Sequence, residues 1–191
     1  MSAFKDYCLT VSKNFENLSS LEAPVRSAID LIKAALRSGN KIIFCGNGGS
    51  AADSQHLAAE LMGRYLIDRM PLPALALSVD TSAMTAIAND YSFDEIFARQ
   101  LRGVGKAGDV LVAISTSGNS ANVLRAIEVA RGTGIKTIGL TGQTGGKMKA
   151  LCDVCIAVPA TATNHIQEMH IAVGHMICGE VERDMFATTK Y

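Results

Sequence analysis

Apolar and polar positions along this chain follow two rhythms. Short, nearly continuous apolar runs bounded by glycine or small polar residues recur at Lys41–Cys45, Pro73–Ser78, Val110–Ile114, Lys136–Gly142 and Asp153–Pro159. Runs of this length, rich in Val, Ile and Leu, predict buried strands. Between them apolar residues repeat at helical spacing. Phe4, Tyr7, Val11, Phe15 and Leu18 stripe residues 4–18. Val25, Ala28, Ile29, Ile32, Ala35 and Leu36 stripe a second helix after Ser20, and Gly39 is placed to end it. Further helices are predicted at AADSQHLAAELMGRY, at TSAMTAIAND and FDEIFARQL joined around Tyr91–Ser92, from about Ala121, at the short GGKMKAL, and from Thr163 to about Phe186.

Strands alternate with helices and no hairpin signal separates any pair. That order predicts a parallel sheet covered on both faces, a doubly wound α/β sandwich of three layers. Ligands in such sheets bind beyond the carboxyl ends of the strands. Two Gly/Ser loops, Gly46–Ser50 and Ser115–Ser120, follow strand ends and should face one crevice.

Composition narrows the setting. At 191 residues the chain is expected to form a single domain over 1–191, with a core large enough to need no staples. The helical segment 1–38 carries no chemical motif and is assigned to packing, including packing between subunits. No apolar run approaches bilayer length, and the first residues, MSAFKDYCLTVSKNF, lack a continuous apolar core, so neither membrane nor export is expected. Eighteen basic residues balance eighteen acidic ones, which leaves no global field for nucleic acid. Low charge with 48% hydrophobic residues predicts a cytoplasmic oligomer that buries apolar surface between subunits. Cys8, Cys45, Cys152, Cys155 and Cys178 are scattered and odd in number, against a disulfide framework. The Cys152/Cys155 pair is weighed as a redox or zinc motif and read instead as ordinary buried thiols.

The chemistry gathers in a few stretches. Ser115, Thr116, Ser117 and Ser120 offer four hydroxyls between a strand end and a helix start, where open N–H groups and the helix dipole favour an anion, and Gly118 lets backbone approach closely. Capping by Asn119 or Ser120 accounts for one hydroxyl, not four. GNGGS lacks a P-loop lysine, and no G-x-G-x-x-G opens the first strand–helix turn, so a nucleotide is not expected. His56 and Glu60 stand at i, i+4 on one helix face, a spacing that serves two metal ligands, an acid/base pair or a plain surface pair. His165, His170 and His175 fall at steps of five, which scatters them around the last helix.

CGNGGSAADSQHLAAEL, IANDYSFDEIF, AISTSGNSANV and HIQEMHIAVGH together resemble the phosphoheptose isomerase family of SIS domains, from about Leu18 to Glu182. The resemblance implies a five-stranded parallel sheet and a homotetramer with sites at subunit boundaries. It also implies conversion of sedoheptulose 7-phosphate to D-glycero-D-manno-heptose 7-phosphate, which feeds heptose into lipopolysaccharide core or other surface glycans. By motif, Asn47, Gly48, Gly49, Asn89, Asp90 and Gln167 would contact substrate, and Ser115, Thr116, Ser117 and Ser120 would hold its phosphate. His56, Glu60, Gln167 and His175 match the zinc positions; Glu60 and His175 also match the acid/base pair. The family carries Arg where this chain has His165. Gln167 and His175 lie about 12 Å apart along an ideal helix. To share one metal their side chains must lean together, Gln167 must sit in an irregular first turn, or different subunits must donate.

Ketose–aldose isomerisation moves a proton between C1 and C2 through an enediolate, so it needs a base, an acid and stabilisation of an oxyanion. Two non-catalytic alternatives share the fold: a scaffold that binds the replication initiator, and a sugar-phosphate sensor. Neither requires Glu60 and His175, and both residues are present.

Overall fold

The computed structural model describes residues 2–186. The single-domain expectation extends past them: residue 1 and residues 187–191 lie outside the described residues. The five apolar runs form β1 (Ile42–Gly46), β2 (Ala74–Ala76), β3 (Val110–Ile114), β4 (Lys136–Thr141) and β5 (Val154–Ala157). They pair in parallel in the order β2-β1-β3-β4-β5. Among the described residues eight α-helices surround them: α1 (Ala3–Asn17), α2 (Glu22–Arg37), α3 (Gly49–Met62), α4 (Thr81–Asp90), α5 (Ile96–Val104), α6 (Ala121–Gly132), α7 (Met148–Leu151) and α8 (Thr163–Phe186).

Alternate strand residues serve the two outer layers. Ile42, Phe44, Val110, Val112, Ile138 and Leu140 face α2, α3 and α8. Ile43, Cys45, Leu111 and Ala113 face α5, α6 and α7. Because the strands are covered on both sides, they read as unbroken apolar runs. Strand order reverses between β1 and β3, the topological switch point where a crevice opens. Gly46 pairs with Ile114 there, so the loops after β1 and β3 leave the sheet level with each other.

Asp109, fully buried below the crevice, ties the starts of β1 and β3. It accepts from the Lys41 backbone at 3.0 Å, Lys41 Nζ at 2.6 Å and the Lys106 backbone at 2.9 Å. Burial alone would raise its pKa, but these hydrogen bonds outweigh burial and hold it below the usual carboxylate value.

An edge strand and two helices depart most from expectation. β2 spans only three residues of the expected Pro73–Ser78, because it is an edge strand paired on one side. α3 stops at Met62, short of Tyr65: Gly63 follows, and Arg69 takes the carbonyls of Glu60, Leu61 and Gly63 that a further turn would use. α1 has the expected stripe, yet no residue of it is buried, and Phe4 is 78% exposed.

The five cysteines are free. Burial pushes the Cys45, Cys152 and Cys178 thiols up to about 12, which suits inert core residues. Among the described residues no helix is long and apolar enough to cross a membrane.

Candidate active site

The turn after β3 is shaped by Gly118, whose φ of 66° lies in the left-handed region. Its missing side chain also lets the Gly145 backbone approach. The turn gathers hydroxyls as expected: Ser115 Oγ lies 2.9 Å from Ser120 Oγ and 3.4 Å from Ser117 Oγ. Ser120 occupies the N-cap position of α6 but makes no capping hydrogen bond. Its hydroxyl turns toward Ser115 instead. A second wall comes from Thr116, Ser117, Asn119, Gln143, Thr144 and Thr161, which with three neighbours enclose a cavity of about 260 Å³.

The turn after β1 lies beside it. Asn47 and Asn122 exchange two amide hydrogen bonds of 2.8 Å, and Asn122 Oδ1 also accepts from the Val123 N–H at 2.9 Å. The Asn47 amide thus donates one N–H and accepts one in fastening one loop to the other. Gly48 has a φ of 54°, and an added Cβ at Gly49 would stand 2.5 Å from Gln167 Nε2. The first loop is thus pinned between α6 and α8.

From Gly49 onward α3 and α8 run side by side in the same direction. Gly49 meets Gln167, Leu57 meets Gly174, His56 meets His175, and Tyr65 meets Glu182. This register brings His56 Nε2 to 2.8 Å from His175 Nε2 and 3.2 Å from Glu60 Oε1. Ligand atoms of His56, Glu60 and His175 all lie within 4.8 Å of one another. A single N–H cannot satisfy both neighbours of His56 Nε2, whereas a cation would satisfy all three groups. Two imidazoles and a carboxylate converging this way form a donor set suited to zinc.

A family model for the SIS domain matches residues 6–142. The phosphoheptose isomerase of Rhodospirillum rubrum is 58% identical over 92% of this chain and 94% of its own length. The solved structure of phosphoheptose isomerase GmhA from Neisseria gonorrhoeae superposes with a TM-score of 0.89 at 44% identity, covering 94% of this chain and 96% of that one. A phosphoheptose isomerase structure from Francisella tularensis gives 0.91 at 33% identity, over 96% of this chain and 100% of the other.

The chain belongs to the phosphoheptose isomerase family of SIS domains.

Within that family's expected site, the structure unites some residues and separates others. Gln167 lies in the regular helix α8, not in an irregular first turn, and its amide packs on Gly49. Gly49 precedes His56 by seven residues, about 10 Å along α3. Within this subunit Gln167 therefore stands at the loop end of the groove. Asn89 donates to Asp90 at 2.9 Å; both are exposed at the end of α4, and among the described residues no hydrogen bond joins them to either loop. His165 is 2.9 Å from Glu168 and its ring lies 5.2 Å from that of Tyr7, so it helps dock α1 on α8.

Sequence reasoning missed several supporting residues. Asn122 looked like an ordinary helix position, and a buried amide in an apolar helix face was its only signal. Glu182 and Arg69 are both almost fully buried and paired at 2.9 Å. Glu182 also accepts the N–H groups of Tyr65, Leu66 and Ile67 at 2.9, 2.6 and 2.7 Å. Burial would raise its pKa; these backbone donors and Arg69 reverse that and lower it. His170 is fully buried with no hydrogen-bond partner at either ring nitrogen. Burial lowers its pKa to about 4, against the opposing pull of the nearby Thr141 backbone.

Proposed function

We propose that this protein interconverts sedoheptulose 7-phosphate and D-glycero-D-manno-heptose 7-phosphate. It would act as a cytoplasmic homotetramer with one zinc per subunit, supplying heptose for bacterial surface glycans such as lipopolysaccharide. The observation that carries this reading is the convergence of Glu60 and His175 on His56, in a chain whose relatives at 50–58% identity are named phosphoheptose isomerase.

In this reading the two loops and the histidine cluster divide the work. Ser115, Thr116, Ser117 and Ser120, with the N-terminus of α6, hold the phosphate. That anchor lies far from the reacting carbons and positions them. Gly48, Gly49, Gln167 and the Asn47 backbone border the sugar chain, and Asn89 and Asp90 contact it from their exposed edge. The Glu60 carboxylate removes the proton from C1 of the ketose and returns it to C2 of the enediolate. His175 carries a proton between the two substrate oxygens, so charge and protons balance over the cycle. His56, Glu60 and His175 would hold zinc, which when bound supplies Lewis-acid polarisation of the carbonyl. Gln167 is the fourth residue of the family's zinc pattern. To join the others it must swing along the groove from Gly49 or act on another subunit's cluster.

Purified protein incubated with sedoheptulose 7-phosphate, with and without added zinc, should accumulate the aldose. Intact oligomer with no turnover in either condition overturns the proposal. Gel filtration at micromolar concentration should give a tetramer, and elution as a monomer contradicts shared sites.

A further inference from the structure

α8 presents His175, Gly179 and Glu182 at i, i+4 and i+7, a single stripe. The segment that follows α3 lies along it. Tyr65 stacks its ring on His175, with centroids 5.7 Å apart and planes 20° from parallel. Gly179 makes the space: a Cβ there would stand 3.2 Å from Tyr65 Cε1. Glu182 then grips the backbone at Tyr65, Leu66 and Ile67 and pairs with Arg69. Arg69 in turn donates to the backbone carbonyls of Glu60, Leu61, Gly63 and Met70 at 2.8 to 3.1 Å. One buried ion pair therefore holds the backbone of Glu60 and the ring that covers His175.

We propose that Tyr65 is the positioning residue of His175, setting the plane of the imidazole so that Nε2 faces His56 and Glu60, and that the Glu182–Arg69 pair holds Tyr65 in place. This rests on the reading of His56, Glu60 and His175 as the metal and proton-transfer cluster. The face of the Tyr65 ring does the work. Its hydroxyl makes no hydrogen bond among the described residues, so a phenylalanine should serve equally. An imidazole freed from its stacking partner can rotate away; hydrogen-bonded partners that orient a ligand histidine govern about ten- to a hundredfold in metal affinity, and a stacked ring that fixes the same orientation should act in that direction. Because the phosphate is bound elsewhere, substrate affinity should hardly change.

The test compares wild type, Tyr65→Phe, Tyr65→Leu and Gly179→Ala, each first checked for folding by circular dichroism and gel filtration. Zinc affinity is measured by chelator competition, and kcat and KM with sedoheptulose 7-phosphate. Tyr65→Leu should weaken zinc binding about tenfold or more and lower kcat at saturating zinc, with KM within about twofold of wild type. Tyr65→Phe should match wild type in all three. Gly179→Ala, which pushes the ring without removing it, should weaken zinc in the same direction by less. It decides the matter if Tyr65→Leu does not fold. Zinc affinity and kcat unchanged in both Tyr65→Leu and Gly179→Ala overturn the inference while leaving the isomerase reading intact. Absence of turnover in zinc-loaded wild type overturns the isomerase reading, and the zinc affinities still decide the role of Tyr65. A wild type that takes up no zinc overturns the role given to Tyr65 and the zinc of the proposed function, and the turnover assay then decides the isomerase reading by itself.

Discussion

Ser115–Ser120 is six consecutive residues on one strand-to-helix turn, whereas the His56–Glu60–His175 cluster joins side chains 119 residues apart on two helices. The first is shaped mostly by its own residues: a left-handed glycine, a strand end and a helix start place the hydroxyls of Ser115, Ser117 and Ser120 together. The second depends on how α3 and α8 slide against each other. That register is set by small residues, Gly49 under Gln167 and Gly174 under Leu57, and by the Glu182 grip on the segment after α3. A fault in the loop should therefore stay local, while the cluster should respond to changes far from any reacting atom.

Four substitutions test that contrast. Replacing Glu60 with Gln removes the proposed base and should lower kcat by about 10²- to 10⁴-fold, with binding of inorganic phosphate unchanged in a titration. Full activity in this variant would remove Glu60 from the chemistry. Arg69→Met leaves Glu182 buried without its partner and should cost about 3–5 kcal/mol in a denaturant-unfolding experiment. A loss under 1 kcal/mol would mean that the register does not depend on this pair.

His170 lies on α8 between the loop end and the cluster. Its imidazole is buried neutral, with a pKa of about 4 against 6.5 when exposed. The folded state thus binds fewer protons than the unfolded one between these values. The stability it contributes is complete above pH 6.5 and is lost as pH falls toward 4, by about 3 kcal/mol. His170→Phe should flatten unfolding free energy over that interval; an unchanged slope would place the pH dependence elsewhere. The depressed carboxylates of Asp109 and Glu182 act in the same direction at lower pH. The most local effect is expected from Gly118→Ala, which opposes a φ of 66° and drives a Cβ into the Gly145 backbone. It should raise KM about tenfold, roughly 1.4 kcal/mol, and leave zinc affinity alone. A change in zinc affinity would show that the two ends are coupled.

Much of the fold was legible because its signals are local. β3, α6 and α8 begin where their apolar periods begin, and β1 runs one residue beyond expectation. The end of α3 was not legible, since the residue that terminates it, Arg69, acts on its carbonyls from eight and nine positions downstream. The exposed stripe of α1 shows the opposite case: periodicity predicts the helix but not what covers its face.

The amino-acid sequence alone determined five buried strands, their alternation with helices, the hydroxyl loop and the pairing of His56 with Glu60, because each depends on residues within one or two turns of each other. The tertiary structure brought His175 to that pair, as the family resemblance implied, and it alone decided that Gln167 stays beside Gly49, that the Asn47 amide pairs with Asn122, and that Tyr65 covers the imidazole. Those outcomes depend on the relative register of segments distant in the chain, and close packing between glycines and their partners on facing helices selects it.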